Sequence, residues 1–493
     1  MSQKAIIIGS GIGGIATAIR LAVQGFKAEV FEKNNYPGGK LSAFEKDGYH
    51  FDAGPSLFTQ PQNIEELFAI ASTPIEDYFS YQQVDIACKY FYENGKIVNA
   101  FADKLLFEKE LTEQLSEPPG ALTAYLHQSE KLYKNIGSIF LDHSLHKKKT
   151  WLNKRIFNAL KTVKSAYLFK SLHQYNRHKF SSTEAVQLFD RYATYNGSNP
   201  YKAPGMLSLI PHLEQNIGTF YPRGGMISIT NALYSLALSK SVQFHFNSPV
   251  ERIIHLGGLV TGVIAGEKTV SANVVVSNSD VYFTYNNLLN NQHKAEKILR
   301  QERSSSAVIF YWGIKKEFGQ LGLHNILFSN DYKTEFDNIF YKKQLSDDPT
   351  IYINITSKME KGMAPEGKEN WFVMVNAPAN TGQDWTLIKE NLRSLVIKKL
   401  TRMLGDEIAG LIETEHTLDP IMIEEQTSSF MGSLYGSSSN TKLAAFLRHP
   451  NFTDAIKGLY FCGGSVHPGG GIPLCLKSAK IVSDLIAEDY KLI

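Results

Sequence analysis

Short apolar runs followed by glycine-rich turns stand at both ends of this chain of 493 residues. Near the start, the run Lys4–Ile8 leads into a turn from Gly9 to Gly14, and apolar positions then recur at helical spacing from Ile12 to Gln24. A short continuous apolar run predicts a buried parallel strand, and the spacing behind it predicts an amphipathic helix. The N-terminus is therefore predicted to form a strand, a turn and a helix.

The end of the chain repeats this order. Gly458–Gly463 predicts a strand, a glycine-rich turn continues to Pro473, and Leu474–Ala487 has a helical pattern. Pro473 suits the first position of that helix. Because both turns have the composition that lets backbone approach phosphate, we expect the two ends of the chain to build one site for a large dinucleotide.

A strand-rich block lies in the middle of the chain. A helical stretch opened by Tyr221–Met226 and running to about Ser239 precedes it, and Asp280 marks the point where the chain leaves it. Its apolar runs and its hairpin signal follow in the order Val242–Phe246, Val250–His255, Gly257–Gly258, Val260–Ala265 and Ala272–Val276.

The N-terminal turn has the glycine spacing that dinucleotide binding requires. Gly9 permits the tight turn, Gly11 lets the backbone approach a pyrophosphate, and Gly14 lets the helix pack closely on the strand. Ile12 and Gly13 begin the helix, whose N-terminal N–H groups and partial positive charge favour phosphate.

An acid follows this turn at the distance expected for ribose binding. Ala28–Glu32 predicts a second strand, and Glu32 lies 18 residues after Gly14, with Lys33 next to it. A carboxylate there would accept hydrogen bonds from the adenosine ribose. Strand, turn, helix, strand and terminal acid in this register indicate an ADP-containing cofactor.

Two segments beyond Glu32 favour FAD over NAD. Pro37–Leu41 contains a Gly-Gly-Lys turn, and Gly48–Leu57 contains an Asp-x-Gly-Pro sequence. Here the chain resembles flavin-dependent amine oxidases and carotenoid desaturases, in which both segments line the flavin. The resemblance implies FAD contacts from Gly38, Gly39, Lys40, Leu41, Gly54, Pro55 and Ser56.

The C-terminal turn narrows this resemblance. His467–Pro473 is similar to the C-terminal signature of carotenoid desaturases of the bacterial phytoene desaturase type, and the likeness leans towards hydroxycarotenoid 3,4-desaturases. Gly464-Ser465 departs from many flavoenzymes, which carry an acid there. Other landmarks of the family are Tyr195–Pro200, Tyr221–Gly225, Asp348–Pro349 and Ala364–Gly367. The resemblance implies further FAD contacts from Val250, Gly463, Gly464, Ser465, Gly471, Ile472 and Pro473.

The same resemblance covers nearly the whole chain and implies its architecture. The fold class is α/β, with a Rossmann-like FAD-binding domain of the glutathione reductase/amine oxidase type, an interleaved α+β substrate domain and a helical membrane-facing cap. The implied FAD-binding domain comprises 1–75, 225–290 and 420–493. The implied substrate-binding domain comprises 76–146, 180–224 and 291–419, and 147–179 is the membrane-docking segment.

Charge adds a feature that the apolar pattern does not reveal. The net charge of +3 is too small to indicate nucleic-acid binding, yet residues 147–179 contain eight Lys, two Arg and no Asp or Glu. We expect this segment to form a basic amphipathic helix on an anionic membrane surface, although a solvated helix over the core is the alternative. Its predicted apolar stripe consists of Leu152, Ile156, Leu160, Val163 and Tyr167.

Cysteine content and hydropathy bear on location. The three cysteines have neither metal-ligand nor disulfide spacing, which favours a reducing compartment and no metal site. The first apolar run is interrupted at Gly9, so it does not predict a secretory signal. Since no stretch reaches the roughly 18 to 20 apolar residues that span a bilayer, we expect a cytoplasmic protein, peripheral on the cell membrane.

An acyclic polyene has neither an acidic C–H group nor a basic nitrogen. Loss of hydride from an allylic carbon to flavin N5 leaves a delocalised cation, and a neighbouring carbon then loses a proton. For 3,4-desaturation, C4 loses the hydride and C3 the proton, while the protein orients the chain and excludes water. Because the sequence contains no second dinucleotide motif, oxygen or a membrane quinone is the expected electron acceptor.

The sequence does not identify a catalytic residue. Five titratable residues lie in segments of the implied substrate domain, and each is more typical of a surface or structural group. Phytoene desaturation is the alternative within the family, and flavin amine oxidation or a non-catalytic lipid-escort role of the same fold are alternatives outside it. The five residues are Asp142, His143, Asp190, Arg191 and His212.

Overall fold

The computed structural model describes residues 3–151, 165–441 and 448–491. Within them the strands are β1 (Lys4–Ile8), β2 (Lys27–Phe31), β3 (Ala43–Lys46), β4 (Tyr49–Asp52), β5 (Tyr81–Gln83), β6 (Ile86–Phe91), β7 (Ile97–Phe101), β8 (Phe220–Pro222), β9 (Gln243–His245), β10 (Val250–Leu256), β11 (Leu259–Ala265), β12 (Lys268–Ser271), β13 (Val274–Ser277), β14 (Ser306–Ile314), β15 (His324–Leu327), β16 (Ile351–Ile355), β17 (Glu369–Ala377), β18 (Ile412–Leu418) and β19 (Leu459–Phe461). The α-helices are Ile12–Val23, Gln62–Ile70, Lys104–Leu115, Ala121–Leu132, Ser138–Asp142, Lys148–Trp151, Ser165–Phe169, Leu172–Asn176, Thr183–Asp190, Ile227–Ser239, Val281–Phe283, Gln292–Leu299, Tyr332–Asp337, Trp385–Leu404, Pro420–Thr427 and Ile472–Asp489.

A parallel five-stranded sheet joins the two ends of the chain. Its strand order is β19-β13-β1-β2-β9, and every neighbouring pair is parallel. Side chains of Ile12–Val23, Ile227–Ser239 and Ile472–Asp489 share a hydrophobic core with one face of this sheet. The opposite face packs on the antiparallel sheet β10-β11-β12. Burial on both faces explains why its strands are continuous apolar runs.

A seven-stranded sheet of order β18-β14-β17-β16-β15-β6-β7 forms the second large layer. Its longest strands, β14 and β17, pair antiparallel from Ser306 opposite Ala377 to Ile314 opposite Glu369. Side chains alternate between the two faces of this sheet along each strand. Phe310 therefore lies on the face that packs against the helix Trp385–Leu404, and Ile309 lies in the hydrophobic core on the opposite face.

Several predicted element boundaries differ from the structure. The strand Lys4–Ile8 is confirmed, but β2 ends at Phe31, so Glu32 follows the strand. Tyr221–Met226 does not open a helix, because part of it pairs with β5 as β8 and the helix begins at Ile227. Pro473 is the second helical residue, since the C-terminal helix begins one residue earlier.

The predicted hairpin at Gly257–Gly258 joins β10 to β11, and both glycines have positive φ. The apolar stripe predicted within 147–179 lies outside the described residues apart from Tyr167. The predicted domain boundaries stay a prediction. In the part of the chain that the structure describes, no helix is both long enough and apolar enough to cross a membrane.

Candidate functional site

A cavity of about 1100 Å³ is lined by residues from both large sheets. Every residue that the sequence analysis assigned to a cofactor site lines it, except Gly14. Gly14 is buried behind the turn, where an added Cβ would lie 2.2 Å from the carbonyl oxygen of Gly9. That clash explains why only glycine lets this helix approach the first strand so closely.

The two glycine turns each lead into the start of a helix at this cavity. Gly11 precedes Ile12–Val23 and Gly471 precedes Ile472–Asp489, and among the described residues no side chain caps either helix. Gly9 has φ of +92° and Gly471 of +103°, which glycine adopts without strain. Two helix N-termini therefore give this end of the cavity a positive potential.

Asn278, which follows β13, lies against both turns. Its Oδ1 accepts a hydrogen bond from Cys462 Sγ at 3.4 Å, and a Cβ added at Gly463 would lie 2.7 Å from the same oxygen. A Cβ added at Gly11 would lie 2.7 Å from Nδ2. Asn278 was not predicted from the sequence because no motif contains it; its position directly after a buried strand was the available signal.

Glu32 is buried and closes the N-terminal turn. Its carboxylate accepts hydrogen bonds from Ser10 N at 2.7 Å, Ser10 Oγ at 2.8 Å and Asn34 N at 2.9 Å. A carboxylate has about four lone-pair sites, so these bonds leave capacity for a ribose hydroxyl. That Glu32 contacts ribose stays a prediction.

Two cations line the same cavity, a buried Arg448 and a partly buried Lys40. Lys40 Nζ donates to the carbonyl oxygen of Leu434 at 2.9 Å, and Arg448 Nη1 donates to that of Tyr435 at 2.6 Å. Burial lowers the pKa of Lys40 to about 8 and that of Arg448 to about 10. Neither forms an ion pair within the described ranges, although the Asp280 carboxylate acts on Lys40 from farther away, so an anionic ligand would supply further negative charge.

The remainder of the cavity is mostly apolar. Its walls come from the segment before residue 147, from residues 206–213 and from one face of the seven-stranded sheet. Such a lining favours a hydrocarbon ligand, because apolar surface is removed from water on both partners. Representative wall residues are Ile136, Phe140, Leu207, Ile210, Ile309 and Met374.

A buried polar cluster interrupts this apolar lining. Arg191 Nη2 lies 3.0 Å from Glu214 Oε1, and Tyr192 and Tyr195 donate hydrogen bonds to the same carboxylate. Burial alone would raise the pKa of Glu214, but Arg191 and the two tyrosine hydroxyls outweigh it and hold that pKa below its usual value. Tyr90 OH accepts a further hydrogen bond from Arg191.

Of the five titratable residues singled out from the sequence, Arg191 lines the cavity. Asp190 is buried away from it and accepts hydrogen bonds from His173 and Asn176. Asp142 pairs with Lys477, and the His143 carbonyl oxygen lies 3.0 Å from His467 Nε2. His212 Nδ1 lies within hydrogen-bond distance, 2.8 Å, of Asn216 Nδ2. None of these four lines the cavity. Among the described residues no cluster of His, Cys, Asp and Glu is placed to hold a metal ion.

The residues present fit FAD. The glycine turns provide a cradle that added Cβ atoms would fill. Two helix N-termini and the cations Lys40 and Arg448 suit a pyrophosphate and an electron-rich ring, and Glu32 suits a ribose. This fold and site define a flavin-dependent oxidoreductase.

Comparison with known proteins agrees with this class. The family model described as flavin containing amine oxidoreductase matches residues 12–487. The chain belongs to this family, and FAD is its cofactor.

The resemblance to carotenoid desaturases is also confirmed. The 1-hydroxycarotenoid 3,4-desaturase of Flavobacterium sp. (strain P99-3) is 50% identical over 484 residues, which cover 98% of this chain and 99% of that protein. The 4,4'-diapolycopene oxygenase of Methylomonas sp is 31% identical, with 99% of each chain covered.

A solved structure confirms the predicted fold class. Cyclohexylamine oxidase from Brevibacterium oxydans IH-35A matches with a TM-score of 0.62 over 100% of both chains. Its sequence identity is 14%, so the comparison bears on the fold alone.

Proposed function

We propose that this protein is an FAD-dependent desaturase that forms the 3,4 double bond of a 1-hydroxylated acyclic carotenoid in carotenoid biosynthesis. The observation that carries the proposal is the single cavity that joins the glycine turns to an apolar chamber. The relative from Flavobacterium supports both the substrate class and the bond, because half of its residues are shared over nearly its full length.

In this proposal the glycine turns, Glu32 and Lys40 hold the cofactor, and the apolar chamber holds the polyene. FAD bound there would supply a hydride acceptor. The apolar chamber would orient the C3–C4 bond of the polyene and exclude water from the cation that loss of hydride leaves, and Ile309, Phe372 and Met374 of its wall would do this. Intact glycine turns and two unpaired cations favour this function over a lipid-escort role.

A substrate panel tests the proposal. The purified holoenzyme is supplied with a 1-hydroxylated acyclic carotenoid, phytoene or lycopene in liposomes, and products are followed by absorption and mass. We expect a red shift and the loss of two hydrogens from the hydroxylated substrate. Conversion of phytoene but not of the hydroxylated substrate would favour the alternative within the family. Gain of oxygen would instead assign an activity like that named for the Methylomonas relative.

We further propose that residues 147–179 dock the protein on the cytoplasmic face of the cell membrane. At the described edges of this segment, Trp151 is 44% exposed and Phe169 is 69% exposed. Phe140 and Leu145, which shortly precede the segment, line the cavity. A substrate leaving the bilayer here would therefore meet the apolar chamber.

Liposome flotation tests this docking. We expect binding to anionic liposomes at low salt that weakens at high salt, and weaker binding by the variant Trp151→Ser/Phe169→Ser. Leu105→Ser provides the matched control, because Leu105 is 78% exposed on the helix Lys104–Leu115, outside this segment. Equal flotation of all three proteins, or none at low salt, would rule the docking segment out.

The proposed docking on the membrane bears on the identity of the electron acceptor that reoxidises the flavin. A membrane quinone is our first expectation for an enzyme docked on a bilayer, and oxygen is the second. Anaerobic turnover with and without added quinone separates them, since quinone restores turnover only in the first case. Turnover that requires NADPH would refute both.

A further inference from the structure

His324, the first residue of β15, carries a polar atom without a partner. It lines the cavity and is 3% exposed. Its Nε2 is buried and has no hydrogen-bond partner among the described residues. A buried polar atom of this kind is rare in folded proteins and calls for a ligand or a functional role.

The neighbours of Nδ1 determine which nitrogen carries the proton. Asn354 Nδ2, whose amide is oriented by its bond to Leu323 O, lies 3.2 Å from His324 Nδ1 and can only donate to it. Tyr352 OH lies 2.8 Å from the same nitrogen. Burial lowers the pKa of His324 to about 4, so the ring is neutral at physiological pH. With Nδ1 accepting, the proton resides on Nε2.

His324 therefore presents a buried N–H donor without an acceptor. Arg191 and Glu214 are near enough for their charges to act on the ring, and Arg191 Nε is a second buried donor without a partner among the described residues. Both donors belong to a polar part of a largely apolar chamber. They need an oxygen atom that the described protein atoms do not supply.

Hydrogen bonds place His324 close to the predicted flavin contacts. Tyr352 OH, which bonds His324, also lies 2.7 Å from Ser56 Oγ. In a 1-hydroxylated substrate, one carbon separates the hydroxyl-bearing C1 from C3, which loses the proton. The partner of that hydroxyl must consequently lie beside the reacting bond, as the position of His324 allows.

We propose that His324 Nε2–H donates a hydrogen bond to the terminal hydroxyl oxygen of the substrate and so selects hydroxylated end groups. The inference rests on the function proposed above and names the residue that recognises the hydroxyl group of the substrate. His324 is not the proton acceptor, because its Nε2 already carries a proton and its Nδ1 is engaged by Tyr352 and Asn354.

Paired substrates test this assignment with the holoenzyme. For wild type, His324→Leu and His324→Gln, kcat/KM is measured on a 1-hydroxylated carotenoid and on the matching polyene that lacks the hydroxyl. We expect His324→Leu to lower kcat/KM about tenfold or more on the hydroxylated substrate only, since the unmade bond affects that substrate alone. His324→Gln keeps an N–H donor and should recover part of the preference. His293→Leu, on the exposed side of the helix Gln292–Leu299, is the control.

The outcomes separate this inference from the function on which it rests. Equal losses on both substrates, or no loss on either, would overturn the role of His324 while leaving desaturation intact. If the wild-type holoenzyme converts neither polyene, the proposed function itself fails. A preference that survives in His324→Leu would assign hydroxyl recognition to another residue.

Discussion

Ser56 Oγ lies 2.7 Å from the phenolic oxygen of Tyr352. This contact joins the segment predicted to line the flavin to β16 in the seven-stranded sheet. Tyr352→Phe should lower the free energy of unfolding by about 1–2 kcal/mol, because Ser56 and His324 lose a shared partner. Chemical denaturation measures the change. Tyr341→Phe, at a residue 57% exposed, should leave stability unaltered, and equal effects of the two variants would contradict the argument.

Gly14→Ala tests the close packing behind the N-terminal turn. The added Cβ would lie 2.2 Å from Gly9 O, so helix and strand must separate. We expect a loss of about 1–3 kcal/mol in stability and weaker FAD retention after gel filtration. Gly319→Ala is the control, since a Cβ there meets no described atom within 4 Å. Full FAD occupancy in Gly14→Ala would show that the turn tolerates a side chain.

Lys40→Met tests the cost of a partly buried cation. A lysine whose pKa falls from 10.5 to about 8 on folding destabilises the folded state below pH 8, and this penalty disappears as the pH rises towards 10.5. The Lys40→Met apoprotein should therefore be more stable than wild type at pH 7, by about 1–3 kcal/mol, with the difference shrinking between pH 8 and 10. Denaturation at several pH values measures it. A difference that is constant with pH would contradict the lowered pKa.

Glu214→Leu tests the buried ion pair. Removing the carboxylate leaves the Arg191 guanidinium buried without its counter-charge, which should cost about 3–5 kcal/mol. The double variant Arg191→Leu/Glu214→Leu should be more stable than Glu214→Leu alone, because no unpaired charge remains. Thermal or chemical denaturation of wild type, the two single variants and the double variant measures the coupling free energy of the pair. Purely additive losses of stability would show that the two residues are not coupled.

The sequence predicted the parts of this molecule that backbone geometry dictates. Gly9 and Gly14 form a motif because a positive φ and a close helix approach exclude other residues. Likewise, the strand Lys4–Ile8 could be predicted because a strand buried on both faces is a continuous apolar run in the sequence.

The polar side of the chamber could not be predicted in this way. His324, Tyr352 and Glu214 come from separate segments, and only the pairing of β15 with β16 and the packing around Arg191 bring them together. Each stands in a local sequence without a motif. Asn278 touches both glycine turns for the same reason, through tertiary packing rather than spacing.

Anaerobic mixing of the FAD-loaded enzyme with a 1-hydroxylated acyclic carotenoid is the decisive experiment for the proposed function. We expect the flavin absorption to bleach in a single turnover, with one red-shifted product molecule formed for each FAD reduced. Product formation without bleaching, or no bleaching with the hydroxylated polyene while phytoene reduces the flavin, would contradict the proposed function.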